Sequence, residues 1–225
     1  MNYFDLHCDT ALALLGKNLK EAGSLRKNNL HIDLERAKNL AGYCQCFACF
    51  TTTGTKVNPV DYFEKKMMAV LKEIDKNKTL IRQAFTADEI ERNREEGIMS
   101  AILTIEGPAG FGFDPALLED LYKIGFRITT LGWNEKNELC GSHKTGGGLT
   151  KQGRAYVKEC QRLGILVDVS HISDEAFWQI MDMTEKPIIA SHSNSRSICD
   201  VGRNLTDEMF KAICQTGGVA GFNMC

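Results

Sequence analysis

Four polar signals in this sequence stand at or just beyond the ends of short apolar runs. The first is Asp5-Leu6-His7-Cys8-Asp9. Side chains alternate along a strand, so Tyr3, Asp5, His7 and Asp9 share one face there, and His7 and Asp9 can converge on one cation. The second is Glu106, which closes Ala101-Ile102-Leu103-Thr104-Ile105. A carboxylate ending so apolar a run must be paired, hydrated or metal-bound. The third is His171, after Leu166-Val167-Asp168-Val169-Ser170, and the fourth is His192, after Pro187-Ile188-Ile189-Ala190-Ser191. Singly, each has an ordinary structural reading: a half-solvated strand, a glutamate emerging into water, a hydrogen-bonded histidine. Together they are nitrogen and oxygen donors without thiolate, a set that suits zinc, with manganese and cobalt disfavoured by availability. Five ligands exceed the three protein ligands of a usual catalytic zinc, so two ions sharing one bridging carboxylate fit the set better.

These residues need a scaffold that gathers strand ends. Apolar runs at 2–9, 42–50, 98–106, 126–131, 165–170, 187–191 and 219–223 predict seven strands. Helical segments lie between them. At 59–77, Val60, Phe63, Met67, Val70, Leu71 and Ile74 recur at helix spacing. The segment 86–95 opens on Thr86 with Glu89 three residues on, a capping box. Asp114 and Pro115 start 114–124. Thr150, Ser173 and Thr206 are hydroxyl caps for 150–163, 173–183 and 206–216. Strands this apolar, alternating with helices, predict a parallel sheet covered by helices. An open doubly wound sheet and a (β/α)8 barrel both satisfy the pattern, and only the chemistry separates them. In a barrel the C-terminal strand ends form the active-site face, which is where all four signals fall.

The chain of 225 residues suits one large domain or two small ones. A charged share of 25% and a hydrophobic share of 43% exclude disorder and collagen-like repeats. A net charge of −2 argues against nucleic acid and anionic membranes as partners. No apolar run reaches membrane-spanning length. The opening MNYFDLHCDT has acidic residues where an export signal needs basic and apolar ones, so a cytoplasmic location is expected. Nine cysteines, odd in number and irregularly spaced, then read as reduced thiols in the core. In Cys44-Gln45-Cys46-Phe47-Ala48-Cys49, strand parity puts Cys44 and Cys46 on one face and Cys49 on the other, the pattern of buried strand cysteines. His31-Ile32-Asp33 repeats the His-x-Asp spacing, but it precedes a helix with no apolar strand before it, so a loop or cap role is expected. His143 lies in the glycine-rich loop 141–148 and is expected to be solvated. That loop is no P-loop, because no Gly-Lys-Ser/Thr follows at the proper spacing.

In order along the chain, DLHCDT, the strand-ending IEG, LVDVSHIS, ASHSNSR and GRNLTDE resemble the renal/membrane dipeptidase family, the M19 metallopeptidases of the amidohydrolase superfamily. The likeness runs from residue 3 to residue 223, with five motifs in register. It implies a (β/α)8 barrel of the TIM type, a two-zinc centre and hydrolysis of dipeptides by a metal-bridged water. His7 and Asp9 would bind one zinc, His171 and His192 the other, and Glu106 would bridge them. Arg203 would grip the substrate's terminal carboxylate, for which its planar fork is suited.

Two departures bear on that reading. Where better-known members carry a histidine after the fourth strand, in a Leu-Thr-His-Asn type motif, this chain reads Thr130-Leu131-Gly132-Trp133-Asn134. Trp133 has only an N–H donor and does not titrate. The family's catalytic aspartate lies on an eighth strand, whereas the last strand predicted here is the seventh. The expectation is a single metallo-hydrolase domain over 1–225, a barrel truncated after its seventh strand, acting on small dipeptides, with homo-oligomerisation left open. Two rivals remain: another amidohydrolase-type substrate, such as a lactone or an N-acyl amino acid, and a truncated metal-binding homologue without activity.

Overall fold

The computed structural model describes residues 3–15, 24–40, 42–53 and 57–224. Asn2, the first residue of the strand expected at 2–9, lies outside the described residues. Among the described residues six strands form one sheet: β1 (Tyr3–Asp5), β2 (Tyr43–Phe50), β3 (Ile81–Gln83), β4 (Met99–Glu106), β5 (Phe126–Thr130) and β6 (Leu166–Asp168). All pairings are parallel, in the order β1-β2-β4-β5-β6. The short β3 takes residues 99–101 of the β4 edge, below residues 103–106, which pair with β5. Past β6 the sheet continues through single parallel bridges, Asp168 to Ile189 and Ala190 to Ala220.

The helices are α1 (Thr10–Ala13), α2 (Leu34–Ala37), α3 (Pro59–Lys76), α4 (Ala87–Glu95), α5 (Leu118–Ile124), α6 (Lys151–Leu163), α7 (Asp174–Met181) and α8 (Asp207–Gln215). Their starts follow the expected caps. Thr86 accepts from Glu89 N while the Glu89 carboxylate accepts from Thr86 N, closing the capping box. Thr150, Ser173 and Thr206 accept from the backbone of Gly153, Ala176 and Met209. Asp114 caps a short 3-10 turn, Pro115–Leu117, that leads into α5. Among the described residues no helix is long and apolar enough to cross a membrane.

Two apolar layers hold the sheet. On the outside, Phe47, Cys49, Leu103 and Ile105 pack in one core with Phe63, Val70, Tyr156 and Val157 of the helices. On the inside, Cys44, Cys46, Ile102, Ile128 and Ile189 cluster, with Leu6 and Leu166 against them. The strand cysteines divide between the two layers as parity requires. A Cβ added at Gly221 would stand 3.2 Å from Leu6 Cδ1, so the far end of the sheet returns to the chain just past β1. In a flat sheet these ends would be about 29 Å apart, six spacings of about 4.8 Å. The sheet is therefore a curled half-barrel and not an open doubly wound sheet.

The strand pattern departs from expectation in three places. The strand expected at 2–9 is regular only as far as Asp5, whose Oδ1 accepts from His7 N at 3.1 Å, while Cys8 O still accepts from Ala48 N of β2 at 3.1 Å. His7 and Asp9 thus lie between the last ladder residue of β1 and the start of α1. β3 was not foreseen, because Ile81-Arg82-Gln83 has one apolar residue and no run to read. The segments at 187–191 and 219–223 pair through single bridges, so seven full strands are not found among the described residues. The first of them ends early because Ser191 N is captured by Asp168 Oδ1 at 2.9 Å instead of by a neighbouring backbone.

Candidate metal centre

Glu106 is the last residue of β4 and is 4% exposed. It can end the strand there because Gly107 turns at φ +75, where a Cβ would meet Thr51 O at 2.1 Å. Only glycine allows that close passage. The two carboxylate oxygens of Glu106 face different groups. Oε2 lies 3.7 Å from His7 Nε2, and His7 Nε2 lies 3.7 Å from Asp9 Oδ1. Oε1 lies 3.3 Å from His171 Nε2 and 3.8 Å from His192 Nε2. His171 Nε2 and His192 Nε2 are 2.9 Å apart, and the rings of His7 and His192 stack at 3.9 Å. The ligand atoms of His7, Glu106 and His192 all lie within 4.8 Å of one another. Asp9 stands at the solvent side, with 65% of its side chain exposed. The structure thus brings Glu106 and three histidines from four separate strand ends to one place, with Asp9 on its rim.

His171 reaches the site in the left-handed region, at φ +73. A non-glycine residue held there is unusual and costs roughly 1–3 kcal/mol. Its ring is placed by Asn134, whose Oδ1 lies 3.3 Å from His171 Nδ1 and 2.9 Å from His143 Nε2. His143 is therefore not the solvated loop residue expected. Its backbone N–H also donates to His171 O at 2.8 Å. The glycine-rich loop folds back on itself, as Gly141 shows: a Cβ there would sit 1.8 Å from Gly146 O. His31, by contrast, is exposed, and Asp33 caps α2 by accepting from Arg36 N at 2.8 Å, the role expected for that pair.

The electrostatics separate the histidines. Burial disfavours protonated His7, but the neighbouring carboxylates of Asp9 and Glu106, with Asp168, outweigh that and raise its pKa. The neighbouring His7 holds the Asp9 carboxyl below its ordinary range. Burial lowers the pKa of His171, with Arg203 adding to the effect and Glu106 opposing it. Burial also lowers His192, reinforced by His7, Arg203 and His171. Neutral imidazoles are the form that ligates metal.

Arg203 lies beside this cluster. Nη1 donates to Ser193 Oγ at 2.6 Å and Nη2 to His192 O at 2.8 Å. A guanidinium has five N–H groups, so these two bonds leave donors for a ligand. Trp133 packs edge-on to Phe50 at 5.1 Å and lies 6.4 Å from the His171 ring. Beneath Phe50, Lys66 of α3 is fully buried, donates to Phe50 O, and lies 4.0 Å from the Tyr62 ring centroid. Burial pushes its pKa down to about 8. Sequence reasoning passed over Lys66, Asn134, Asp168 and Ser191. Lys66 has a signal, since it falls on the apolar stripe of α3 with Phe63 and Val70. Asp168 has one too, as an acid within an apolar strand.

The sequence profile of the membrane dipeptidase family, peptidase family M19, matches residues 1–225. A solved metallo peptidase from Rhodobacter sphaeroides, liganded with a phosphinate mimic of the dipeptide L-Ala-D-Ala, is similar with a TM-score of 0.87 and 25% identity, covering 99% of this chain and 73% of that one. The solved dipeptidase AC, a metallo peptidase of family M19, gives a TM-score of 0.86 and 27% identity, covering 99% of this chain and 72% of its own. A Klebsiella pneumoniae relative described as an uncharacterized protein in the pqqA 5' region is 33% identical over 174 residues, 74% of this chain. The match spans 64% of that relative, less than two thirds of its length.

Proposed function

Because the chain belongs to the membrane dipeptidase family, peptidase family M19, we propose that it is a zinc-dependent dipeptidase with two ions in its centre. The observation that carries this reading is the division of Glu106: Oε2 toward His7 and, past it, Asp9; Oε1 toward His171 and His192. A buried carboxylate with a different donor set at each oxygen fits a bridge between two cations. In this proposal His7 and Asp9 hold one ion, His171 and His192 the other, and the (β/α)8 barrel is the architecture of the whole protein. Two such ions, when bound, supply an activated water and polarise a carbonyl.

The other roles belong to side chains. Arg203 receives the substrate's free carboxylate on its remaining donors, which sets the distance from that carboxylate to the scissile bond. Trp133 replaces a titratable side chain with an apolar wall and one N–H donor. It favours a second reading, in which the same centre serves a different amidohydrolase-type substrate, such as a lactone. A cytoplasmic location and a free dipeptide as substrate are part of the first proposal.

Elemental analysis after zinc reloading, run beside turnover on dipeptide and lactone panels, tests both. About two ions per chain with dipeptide cleavage supports the first reading. Lactone hydrolysis without dipeptide cleavage supports the second, and protein that takes up no metal overturns both.

A further inference from the structure

Asp168 ends β6 and is 1% exposed. Its Oδ1 accepts the backbone N–H groups of Ser170 and Ser191, both at 2.9 Å. Its Oδ2 accepts the Ser191 hydroxyl in a very short hydrogen bond. Three donors thus converge on one carboxyl, and the Ser191 hydroxyl is one of them. A hydroxyl has one proton, and Ser191 gives it to Asp168. Toward His192 Nδ1, 2.6 Å away, the Ser191 oxygen is then an acceptor. Nδ1 must carry the hydrogen of that contact. In a neutral imidazole the other nitrogen is left as a bare acceptor. That nitrogen, Nε2, is the one facing His171 Nε2 at 2.9 Å and Glu106 Oε1 at 3.8 Å.

Resting on the metal-site reading above, we propose that Asp168, acting through Ser191, is a positioning residue that holds a proton on Nδ1 of His192 and keeps its Nε2 free to ligate. The hydrogen bookkeeping makes an unusual demand. Asp168→Asn preserves shape and can still accept the two backbone N–H groups on its oxygen. Its amide nitrogen, however, is a donor where Oδ2 was an acceptor. Ser191 must then turn its proton to His192 Nδ1, and the ring proton moves to Nε2, the nitrogen that has to be bare. Ser191→Ala only releases the ring to choose. The near-isosteric change should therefore do more harm than the truncation, and Asp168→Asn combined with Ser191→Ala should return to the Ser191→Ala level.

The test reads the ring nitrogens of His192 in long-range proton–nitrogen correlation spectra of the intact metal-free protein, with zinc affinity measured by competition against a chromophoric chelator. The expected result is Nδ1–H in wild type and Nε2–H in Asp168→Asn, with affinity for one zinc lowered roughly 10- to 100-fold. Ser191→Ala should lose less. A carboxylate that merely stabilises the fold would give losses that track thermal stability and no change of tautomer, and would overturn the proposal. So would Nε2–H in wild type, a measurement that needs no variant to fold. If wild type takes up no zinc yet its tautomer switches as described, the positioning role stands and the metal reading fails.

Discussion

Arg203 is a residue with two tasks, and its substitution must be read accordingly. It braces Ser193 and the carbonyl of His192, and in the proposed reaction it also binds the substrate's carboxylate. Arg203→Lys keeps the charge and loses the fork. A charged hydrogen bond is worth about 1.5–3 kcal/mol, so kcat/KM on a dipeptide should fall roughly tenfold or more. Some thermal stability should be lost as well. The ratio of dipeptide to C-terminal amide turnover separates the two tasks, since a loss of stability affects both substrates alike. Wild-type protein that cleaves both equally well would rule out the carboxylate clamp.

At the scale of elements, the turn after β4 decides where Glu106 can stand. Gly107 and Gly97, on either side of that strand, both have positive φ, at +75 and +69. A side chain at Gly97 meets nothing within 4 Å, whereas one at Gly107 meets Thr51 O at 2.1 Å. Gly97→Ala should therefore cost only the left-handed penalty, about 1–2 kcal/mol. Gly107→Ala pays that and must also displace the backbone that carries Glu106. Denaturant melts of the metal-free variants should rank Gly107→Ala as clearly the more destabilising. Equal losses would mean that the Thr51 contact relaxes at no cost.

For the whole molecule, gathering histidines in one buried place ties stability to pH. Burial, then Arg203, His171 and Lys144, push the pKa of His143 from 6.5 down to about 4. Between those values the unfolded chain holds a proton that the folded chain does not. His143 therefore contributes stability that is present above 6.5 and is lost as pH falls toward 4. His171 and His192 are lowered too and act in the same direction. His7 is raised and acts oppositely, stabilising when protonated and losing that contribution as pH rises through its folded pKa. The urea midpoint of the metal-free protein should drop on acidification from about pH 7 to about pH 4.5. The drop should be smaller in His143→Gln, and an unchanged wild-type midpoint would contradict it.

Local structure follows from residue order alone. Thr86, Thr150, Ser173 and Thr206 cap their helices because a side-chain oxygen needs only an N–H within the next turn. The apolar runs of β2 and β4 announce strands buried on both faces, and the polar residues that end such runs are legible as candidates for chemistry. Parity separated Cys44 and Cys46 from Cys49 for the same reason. Long-range packing sets the remainder. The curl of the sheet selects the half-barrel over the open sheet, and it alone brings residues 7, 106, 171 and 192 within a few ångströms. His7 and Asp9 stand 3.7 Å apart past the last ladder residue of β1. His143 meets Asn134, and Asp168 meets Ser191 and through it His192, across 9 and 23 residues of chain. Such contacts depend on strand register and loop return, which are free-energy balances over many distant residues and leave no periodicity in the sequence.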